Sequence, residues 1–439
     1  GVEGVQASQE LIQRDLQTLN VLRTQLDQLK DTIDYRLPNE PFRRGLDRAI
    51  NEMRAEVEHI EAMAGEVLAV LKPQPRLDVP SFAVNETNRL HFAARRVPFL
   101  GRKREAKQLQ DFLETDRPFV WWVITGPGGL GKSRLALELC LENLTVWRAG
   151  FLPRAQGFNS WHEWQPSKPT LLVIDYASTR PQDAQDIVTN LYPRASNLDR
   201  PVRLLLIERS TVDGSTEEGS TDRPWWDRFR GTGSTLHAVE GSQFAPPLAL
   251  GPMPPENLWE SICFILKLAG KISLPNRDET LAALHAIDPE GRPLFAALAA
   301  DALIADRNIR RWDRSRLIED VLRREQALYW RPTGVTGRDK NLLALATMTG
   351  GLDLEILQSP PMEDFLPTPR EYAPERYQIM SGRPATEFLA PFEPDILGEF
   401  FVLEHVKPLH KLDTARADKL RRASWRCSPP QAWSFLARS

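Results

Sequence analysis

Residues 119–133 read FVWWVITGPGGLGKS, and this stretch decides the predicted fold. Residues 119–125 are almost all apolar, which is typical of a strand buried on both faces of a sheet. Residues 126–133 match the pattern G-x-x-x-x-G-K-S/T, whose glycines let successive backbone N–H groups surround a phosphate. A helical pattern follows from Ser133 to Leu144. A buried strand, a glycine loop and a helix in this order predict a phosphate-binding loop.

This loop supplies the first set of candidate site residues. Lys132 is expected to reach the β- and γ-phosphates of a nucleoside triphosphate, and the Ser133 hydroxyl is expected to bind Mg²⁺. The helix that follows would direct the positive end of its dipole at the phosphates. The predicted nucleotide contacts in and beside the loop are Gly126, Pro127, Gly128, Gly129, Leu130, Gly131, Lys132, Ser133 and Arg134.

Two further apolar runs supply the other predicted strands of the core. Residues 170–175 read TLLVID and residues 202–208 read VRLLLIE, with a helical pattern over Pro181 to Tyr192 between them. Buried strands that alternate with helices predict a parallel sheet covered on both faces. The number of residues between Lys132 and the TLLVID run suggests that this run forms the strand adjacent to the one that precedes the phosphate-binding loop. Asp175, at its end, is expected to hold the metal through water.

Charged residues at the end of the VRLLLIE run are expected at the same phosphate edge. Arg209 is a candidate sensor of the γ-phosphate, and Glu208 is a candidate to polarise water. Both could also be ordinary surface charges on a loop. Tyr176 stands after Asp175 where a second acid would be expected, so slow hydrolysis is predicted.

Several motifs, in order, resemble the STAND class of P-loop NTPases, signalling relatives of AAA+ proteins that include the NB-ARC and NACHT switches. Residues 97–113 (VPFLGRKREAKQLQDFL) resemble its opening motif, residues 291–294 (GRPL) its G-x-P-L motif, and residues 392–397 (FEPDIL) its M-H-D motif. Arg209 aligns with the sensor arginine of the class. The strings LLVIDYASTRPQ, LLLIERS and RPWWDRF are especially similar to a bacterial subgroup.

The resemblance implies roles for residues outside the phosphate-binding loop. It places the backbone beside Gly101 and Arg102 around the adenine, and Pro293 near the nucleotide. Asp395 is retained from the M-H-D motif, whereas Pro394 replaces the histidine that contacts the ADP β-phosphate in the class. The absence of an N-K-x-D motif, which reads guanine in small GTPases, also favours adenine.

The predicted fold class is α/β, a P-loop NTPase parallel sheet covered by helices. A small helical domain and a winged-helix domain follow, and an N-terminal helical hairpin with apolar seams over 9–35 and 44–72 precedes it. Further helices are predicted at 255–269, 278–287, 292–306, 313–330, 338–349 and near 395–406, with a short strand at 387–392. The predicted domains are 1–75 (hairpin), 76–94 (linker), 95–254 (nucleotide-binding domain), 255–312 (small helical domain), 313–412 (winged helix) and 413–439 (start of a helical C-terminal region).

Composition excludes several other classes of protein. With 439 residues, 41% hydrophobic and 26% charged, the chain is not disordered, collagen-like or membrane-spanning. A net charge of −3 provides no overall field for nucleic acid. Three widely spaced cysteines support no disulfide framework, so we expect a cytoplasmic protein. The seven histidines lack metal-ligand spacing and are interpreted as structural, as is the tryptophan cluster Trp161, Trp164, Trp225 and Trp226. Because the chain lacks an initiator Met, we expect it to be a piece of a longer protein.

The first functional hypothesis is an ATP-driven switch. ADP or the absence of nucleotide would hold a closed monomer, and ATP with Mg²⁺ would favour an open form that associates with copies of itself through the nucleotide-binding domain. Slow hydrolysis would reset it. The resemblance implies bacterial innate immunity against phage, with a trigger, expected to be a protein, sensed by a C-terminal region.

The sequence is also compatible with two alternative functions. One is an AAA+-like motor, against which Tyr176 argues. The other is a transcription regulator that binds DNA through its winged helix, with a basic patch made of Arg307, Arg310, Arg311, Arg314 and Arg316. A basic patch of this kind is more often a solvated face, so nucleic acid is not the favoured partner.

Overall fold

A computed structural model describes most of the chain, apart from its N-terminal region and several loops. The described residues are 47–60, 74–81, 84–85, 87–153, 158–209, 241–353, 373–383, 388–407 and 415–438, with a few isolated positions. Residues 47–60 are helical, as the second apolar seam predicts. Ile50 of this seam is buried, but Met53 is 46% exposed and Ile60 is 40% exposed. Of the first seam, Leu19, Leu22 and Leu26 are described and are helical. The turn of the hairpin lies outside the described residues, so the hairpin stays a prediction.

The described residues form a central sheet of five parallel strands. The strands are β1 (Phe119–Thr125), β2 (Arg148–Phe151), β3 (Thr170–Asp175), β4 (Val202–Ile207) and β5 (Leu248–Ala249). Their order across the sheet is β2-β3-β4-β1-β5. The strand of Asp175 is therefore not adjacent to the strand of the phosphate-binding loop, and that prediction was wrong. The chain places β4 between them, and Ile207 pairs with both Ile124 and Asp175, which keeps the three strand ends level.

Helices cover both faces of the sheet, as predicted from the fully apolar strands. On one face, Val120 and Trp122 pack with helices α1 (Lys103–Glu114) and α2 (Lys132–Asn143). On the other face, Trp121 belongs to the cluster that includes helix α3 (Pro181–Leu191). Successive side chains of a strand point to opposite faces, so an unbroken apolar run is what a doubly covered sheet requires. The same cluster buries Trp161, Trp164 and Trp226, which confirms packing as their role, whereas Trp225 lies outside the described residues.

The rest of the described chain is mostly helical. Its elements are α4 (Pro255–Leu268), α5 (Arg277–Ile287), α6 (Pro293–Ile304), α7 (Arg314–Glu325), α8 (Gly337–Thr349), β6 (Leu352–Asp353), α9 (Pro374–Ser381), β7 (Phe388–Leu389), α10 (Asp395–Val406), α11 (Ala415–Cys427) and α12 (Pro429–Arg438). Strands β6 and β7 pair antiparallel, and β7 begins one residue after the predicted strand. The predicted helices are confirmed with small changes of bounds, the largest being that α7 passes into a π-helical turn at Gln326–Trp330. One apolar cluster includes residues from Met253 to Phe435. The regions predicted as the small helical domain and the winged-helix domain therefore share one hydrophobic core.

The segment predicted as a linker, residues 76–94, is packed where the structure describes it. Asp78 exchanges two backbone hydrogen bonds with Phe151 at the edge of β2, at 2.9 and 2.7 Å. Asn88 and His91 are buried. Since the backbone of the segment pairs with the sheet and its side chains are covered, it belongs to the body of the protein. None of the described helices combines the length and the apolarity that crossing a bilayer requires.

Candidate nucleotide site

The carboxyl edge of the sheet faces a cavity of about 240 Å³. Four parts of the chain line it: the phosphate-binding loop, the residues that follow β3 and β4, the segment 89–97, and residues from the starts of α6 and α10. Parallel sheets bind ligands at this edge because the strand ends and the helix N-termini meet there. The cavity is therefore the candidate functional site.

The phosphate-binding loop has the conformation that its glycines permit. Gly126, Gly129 and Gly131 have φ angles of 142°, 80° and 89°, which side-chain-bearing residues rarely adopt. Lys132 begins helix α2 and lies in the cavity wall, where its Nζ donates to the carbonyl oxygens of Gly126 at 2.6 Å and Pro127 at 3.0 Å. Burial lowers the pKa of Lys132. The ammonium group is thus held in the loop that is predicted to surround the phosphates.

The two predicted metal ligands contact each other directly. Ser133 Oγ donates a hydrogen bond to Asp175 Oδ2 at 2.7 Å, and the backbone N–H of Tyr176 donates to Asp175 Oδ1 at 3.0 Å. Burial raises the pKa of Asp175 to about 6. A hydroxyl and a carboxylate are oxygen donors of the kind that Mg²⁺ uses together with substrate phosphates, so the pair fits this ion. The described residues hold no group of three or more His, Cys, Asp or Glu side chains that could bind a metal ion.

Asp175→Ala is expected to weaken Mg²⁺-dependent nucleotide binding by about tenfold or more while changing Mg²⁺-free ADP binding far less, because the carboxylate acts through the metal. Isothermal titration with and without Mg²⁺ measures both affinities. Asp183→Ala is the matched control, since Asp183 lies in α3 outside the nucleotide cavity, and its carboxylate pairs with Arg180 while remaining 40% exposed. Equal losses with and without Mg²⁺ would mean that Asp175 has a structural role only.

Arg209 joins the phosphate edge of the sheet to helix α10. Its Nη2 donates to Asp395 Oδ2 at 2.8 Å, and its Nη1 lies 2.8 Å from Glu399 Oε1. The guanidinium also lies against the loop, because a Cβ added to Gly128 would be 3.3 Å from Arg209 Cζ. Burial alone would lower the pKa of Arg209, but the carboxylates of Asp395 and Glu399 raise it above its usual value and keep the guanidinium charged. The predicted sensor arginine is therefore in the cavity, but its charge is bound to the C-terminal part of the chain.

Glu208 braces the strand ends. Its Oε1 accepts from the backbone N–H of Arg209 at 2.7 Å, and its Oε2 accepts from the backbone N–H of Ser178 at 2.9 Å. Because both oxygens already orient backbone groups, the geometry favours a positioning role over the predicted activation of water.

The motifs around 293 and 395 also reach the cavity. The backbone N–H of Leu294 donates to Gly129 O at 3.3 Å, so the start of α6 touches the phosphate-binding loop beside Pro293. Asp395, at the start of α10, accepts from the hydroxyl of Tyr176 as well as from Arg209. These contacts bring together, at the cavity, residues that are far apart in the sequence.

Gly101 and Arg102 lie away from the cavity walls. Arg102 is buried, and its Nη2 donates to the carbonyl oxygens of Leu130 at 3.2 Å and Gly251 at 2.9 Å. A Cβ on Gly101 would lie 2.8 Å from Asn257 Oδ1. Arg102 thus braces the phosphate-binding loop from behind, and the contact of these residues with adenine stays a prediction.

The sequence reasoning missed the segment 89–97 as part of the site. Arg96 Nη1 donates to Asp301 Oδ1 at 2.7 Å, and Arg89 Nε donates to Asp301 Oδ2 at 2.8 Å. His91 caps a short 3₁₀ turn through Nδ1, and its Nε2 lies 2.5 Å from Glu393 Oε2. Burial lowers the pKa of His91. Arg95 and Arg96 form a basic pair in this segment, but no motif covers them, and only Val97 belongs to the opening motif at 97–113.

The predicted basic patch is largely paired with acids. Arg310 contacts Glu279, Arg307 Nε lies 3.7 Å from Asp320, and Arg314 Nη2 donates to Asp288 Oδ1 at 3.1 Å. Arg316 lies over the ring of Trp312, and Arg311 is exposed. Most of this positive charge is therefore neutralised within the chain.

No family model matches the chain, and no curated protein matches it significantly. Among solved structures, a Walker-type ATPase of Pyrococcus abyssi is 13% identical with a TM-score of 0.35 and matches over 69% of this chain and 96% of its own. Domain III of the Thermotoga maritima replication initiation protein DnaA is 15% identical with a TM-score of 0.31, over 51% and 91%. Drosophila ORC bound to DNA is 12% identical with a TM-score of 0.32, over 75% and 88%. These sequence identities and TM-scores are too low to assign a function.

The fold class follows from the chain's own geometry. A glycine loop joins the buried strand β1 to helix α2, in a parallel sheet covered by helices. At the carboxyl edge of that sheet, Ser133 of the loop meets Asp175. These features give the chain the fold of a P-loop NTPase.

Proposed function

We propose that the chain is an ATP-driven molecular switch of the STAND type, in which the bound nucleotide decides whether the phosphate edge of the sheet stays tied to helix α10. The observation that carries this proposal is the pair of ion contacts from Arg209 to Asp395 and Glu399. Arg209 follows a strand of the sheet, whereas both acids belong to the C-terminal helical part of the chain. The contact therefore joins the two parts at the nucleotide cavity.

A γ-phosphate and helix α10 would compete for the same cation. The guanidinium of Arg209 is 18% exposed and has both Nη groups on carboxylates. A third anion in this cavity would face two carboxylates at close range, which is costly in a poorly solvated site. ADP lacks this extra phosphate, so it is compatible with the closed arrangement. ATP binds more favourably when Asp395 and Glu399 move away.

This difference in binding free energy is what a switch requires. A ligand shifts a two-state equilibrium only by the difference between its affinities for the two states. Lys132, Ser133 and Asp175 would hold the phosphates and Mg²⁺ in both states, whereas Arg209 would contact the phosphate in one state and α10 in the other. Mg²⁺ would neutralise phosphate charge.

Hydrolysis is proposed to be slow and to serve as the reset. Tyr176 has no carboxylate to act as a general base, and both oxygens of Glu208 bind backbone N–H groups. A slow ATPase keeps the activated state long enough to act on a partner.

The biological setting rests on the resemblance to the STAND class. Opening would expose surfaces through which copies of the chain associate and bring their N-terminal segments together. The proposed role is bacterial defence against phage in the cytoplasm, started by a protein that a C-terminal region senses. The DNA-binding alternative loses support from the paired arginines, and the AAA+-like motor lacks an acid at position 176.

The test is particle mass in solution, measured by light scattering with ADP and then with a non-hydrolysable ATP analogue plus Mg²⁺. We expect a monomer with ADP and a several-fold larger particle with the analogue, and no increase for Lys132→Ala. A chain that stays monomeric with the analogue bound while it turns over ATP steadily would contradict the switch and indicate an ordinary ATPase.

A further inference from the structure

Tyr176 has a backbone conformation that points to a function. Its φ angle is 56°, in the left-handed region that bulky side chains rarely adopt. Strain of this kind persists only where the surrounding structure holds it, and it concentrates at functional sites. The backbone N–H of Tyr176 donates to Asp175 Oδ1, so the strained residue orients the proposed metal ligand. The same conformation directs its side chain toward α10.

The side chain of Tyr176 completes the hydrogen bonding of Asp395. Its hydroxyl donates to Asp395 Oδ1, while Arg209 Nη2 donates to Asp395 Oδ2 at 2.8 Å. Residues at the ends of two neighbouring strands, β3 and β4, thus hold both oxygens of one carboxylate.

Tyr176 also lies on the boundary that opening would separate. With Asp175 and Asp395, it lines both the nucleotide cavity and a second cavity of about 640 Å³. The second cavity lies between the sheet edge and the C-terminal helices, and it reaches Phe435 of α12. The contact of Tyr176 with Asp395 therefore joins the sheet to the C-terminal helical part of the chain.

We propose that Tyr176 is a positioning residue that sets the preference of the site for ADP over ATP. Its hydroxyl fixes the Asp395 carboxylate in the orientation that retains Arg209, and so keeps the arginine away from the γ-phosphate. Tyr176 thus occupies the position at which a second acidic residue would act as a general base, and its phenol stabilises the closed state instead. This inference rests on the proposed switch function and names a further residue that controls it.

The test removes the hydroxyl with Tyr176→Phe and measures the affinities for ADP and for a non-hydrolysable ATP analogue, both with Mg²⁺. We expect the ratio of the two dissociation constants to move about tenfold in favour of ATP, the size expected for one hydrogen bond to a charged group. The matched control is Tyr377→Phe, because Tyr377 is a buried tyrosine whose hydroxyl donates to Ala390 O at 2.7 Å and which does not line the nucleotide cavity. It should leave the ratio unchanged.

A second variant separates this inference from the proposed function. Asp395→Asn weakens the same closed-state contact from the other side and covers the case in which Tyr176→Phe does not fold. If Asp395→Asn shifts the ratio and a folded Tyr176→Phe does not, the role of Tyr176 is wrong and the switch stands. If neither folded variant shifts it, the switch itself fails. If each variant shifts the ratio and the double variant shifts it no further than either one alone, the inference is supported, since the two residues then act through one contact.

Discussion

Lys132→Ala is expected to lower the affinity for ATP and ADP about a hundredfold or more. Lys132 carries the single charge within residues 126–133 and lines the cavity. A charge-assisted contact with phosphate in a poorly solvated site is worth several kcal/mol. In the structure the Lys132 ammonium group donates to the carbonyl oxygens of Gly126 and Pro127. The buried lysine is thus held where a phosphate would receive it.

The fold is expected to survive this substitution. The lowered pKa of Lys132 means that folding disfavours its charged form, so the side chain does not stabilise the fold through its charge. Its hydrogen bonds are local to the loop. The measurements are isothermal titration with each nucleotide and a thermal melt without nucleotide. Lys340→Ala is the matched control, because Lys340 is partly buried over the ring of Trp330 and lies outside the cavity. Affinity within a few fold of the unchanged chain would remove the phosphate-binding loop assignment.

The central strands were predictable because burial on both faces of the sheet requires an unbroken run of apolar residues. The bounds of β1 and β3 agree with the apolar runs at Phe119–Thr125 and Thr170–Asp175. The edge strands were not predictable, since β2 has only four residues, starts with Arg148 and contains Gly150. The order of the strands was also missed. Spacing along the chain does not reveal that β4 inserts between β1 and β3, because a helical crossover can skip a position in the sheet.

The site was predictable where a local motif carries it. The phosphate-binding loop has its signature within eight residues, so its position could be read directly from Gly126 to Ser133. The segment 89–97, which forms another wall of the cavity, has no such signature. Arg96 meets Asp301 across 205 positions of sequence, and such a contact exists only after the chain folds. At Arg102 the motif match implied that the backbone contacts adenine, which stays a prediction, whereas the bracing role of its side chain behind the loop is known only from the structure.

Arg209→Ala is expected to open the chain even with ADP bound. The substitution removes two charge-assisted contacts and leaves Asp395 and Glu399 facing each other without their shared cation. Removing one partner of a largely buried ion pair costs about 3 to 5 kcal/mol, more than a closed state of modest stability can lose. The C-terminal helices should therefore separate from the phosphate edge of the sheet.

The same substitution should also abolish the response to ATP. Since Arg209 is the proposed contact of the γ-phosphate, the variant keeps the other phosphate ligands but loses the group that distinguishes three phosphates from two. We expect ADP and the ATP analogue to produce the same hydrodynamic radius and the same rate of limited proteolysis. In the unchanged chain the two nucleotides should give different values.

The control is Arg310→Ala, which removes another arginine that pairs with a glutamate. Arg310 and Glu279 are 60% and 49% exposed, and ion pairs in water contribute little to stability. This variant should keep both the compact ADP form and the nucleotide response. If Arg209→Ala stays compact with ADP and still expands with the analogue, then Arg209 does not hold the two parts together, because the contacts of α10 with the sheet edge suffice without it. The nucleotide signal would then have to pass through the start of α6, where Leu294 touches Gly129.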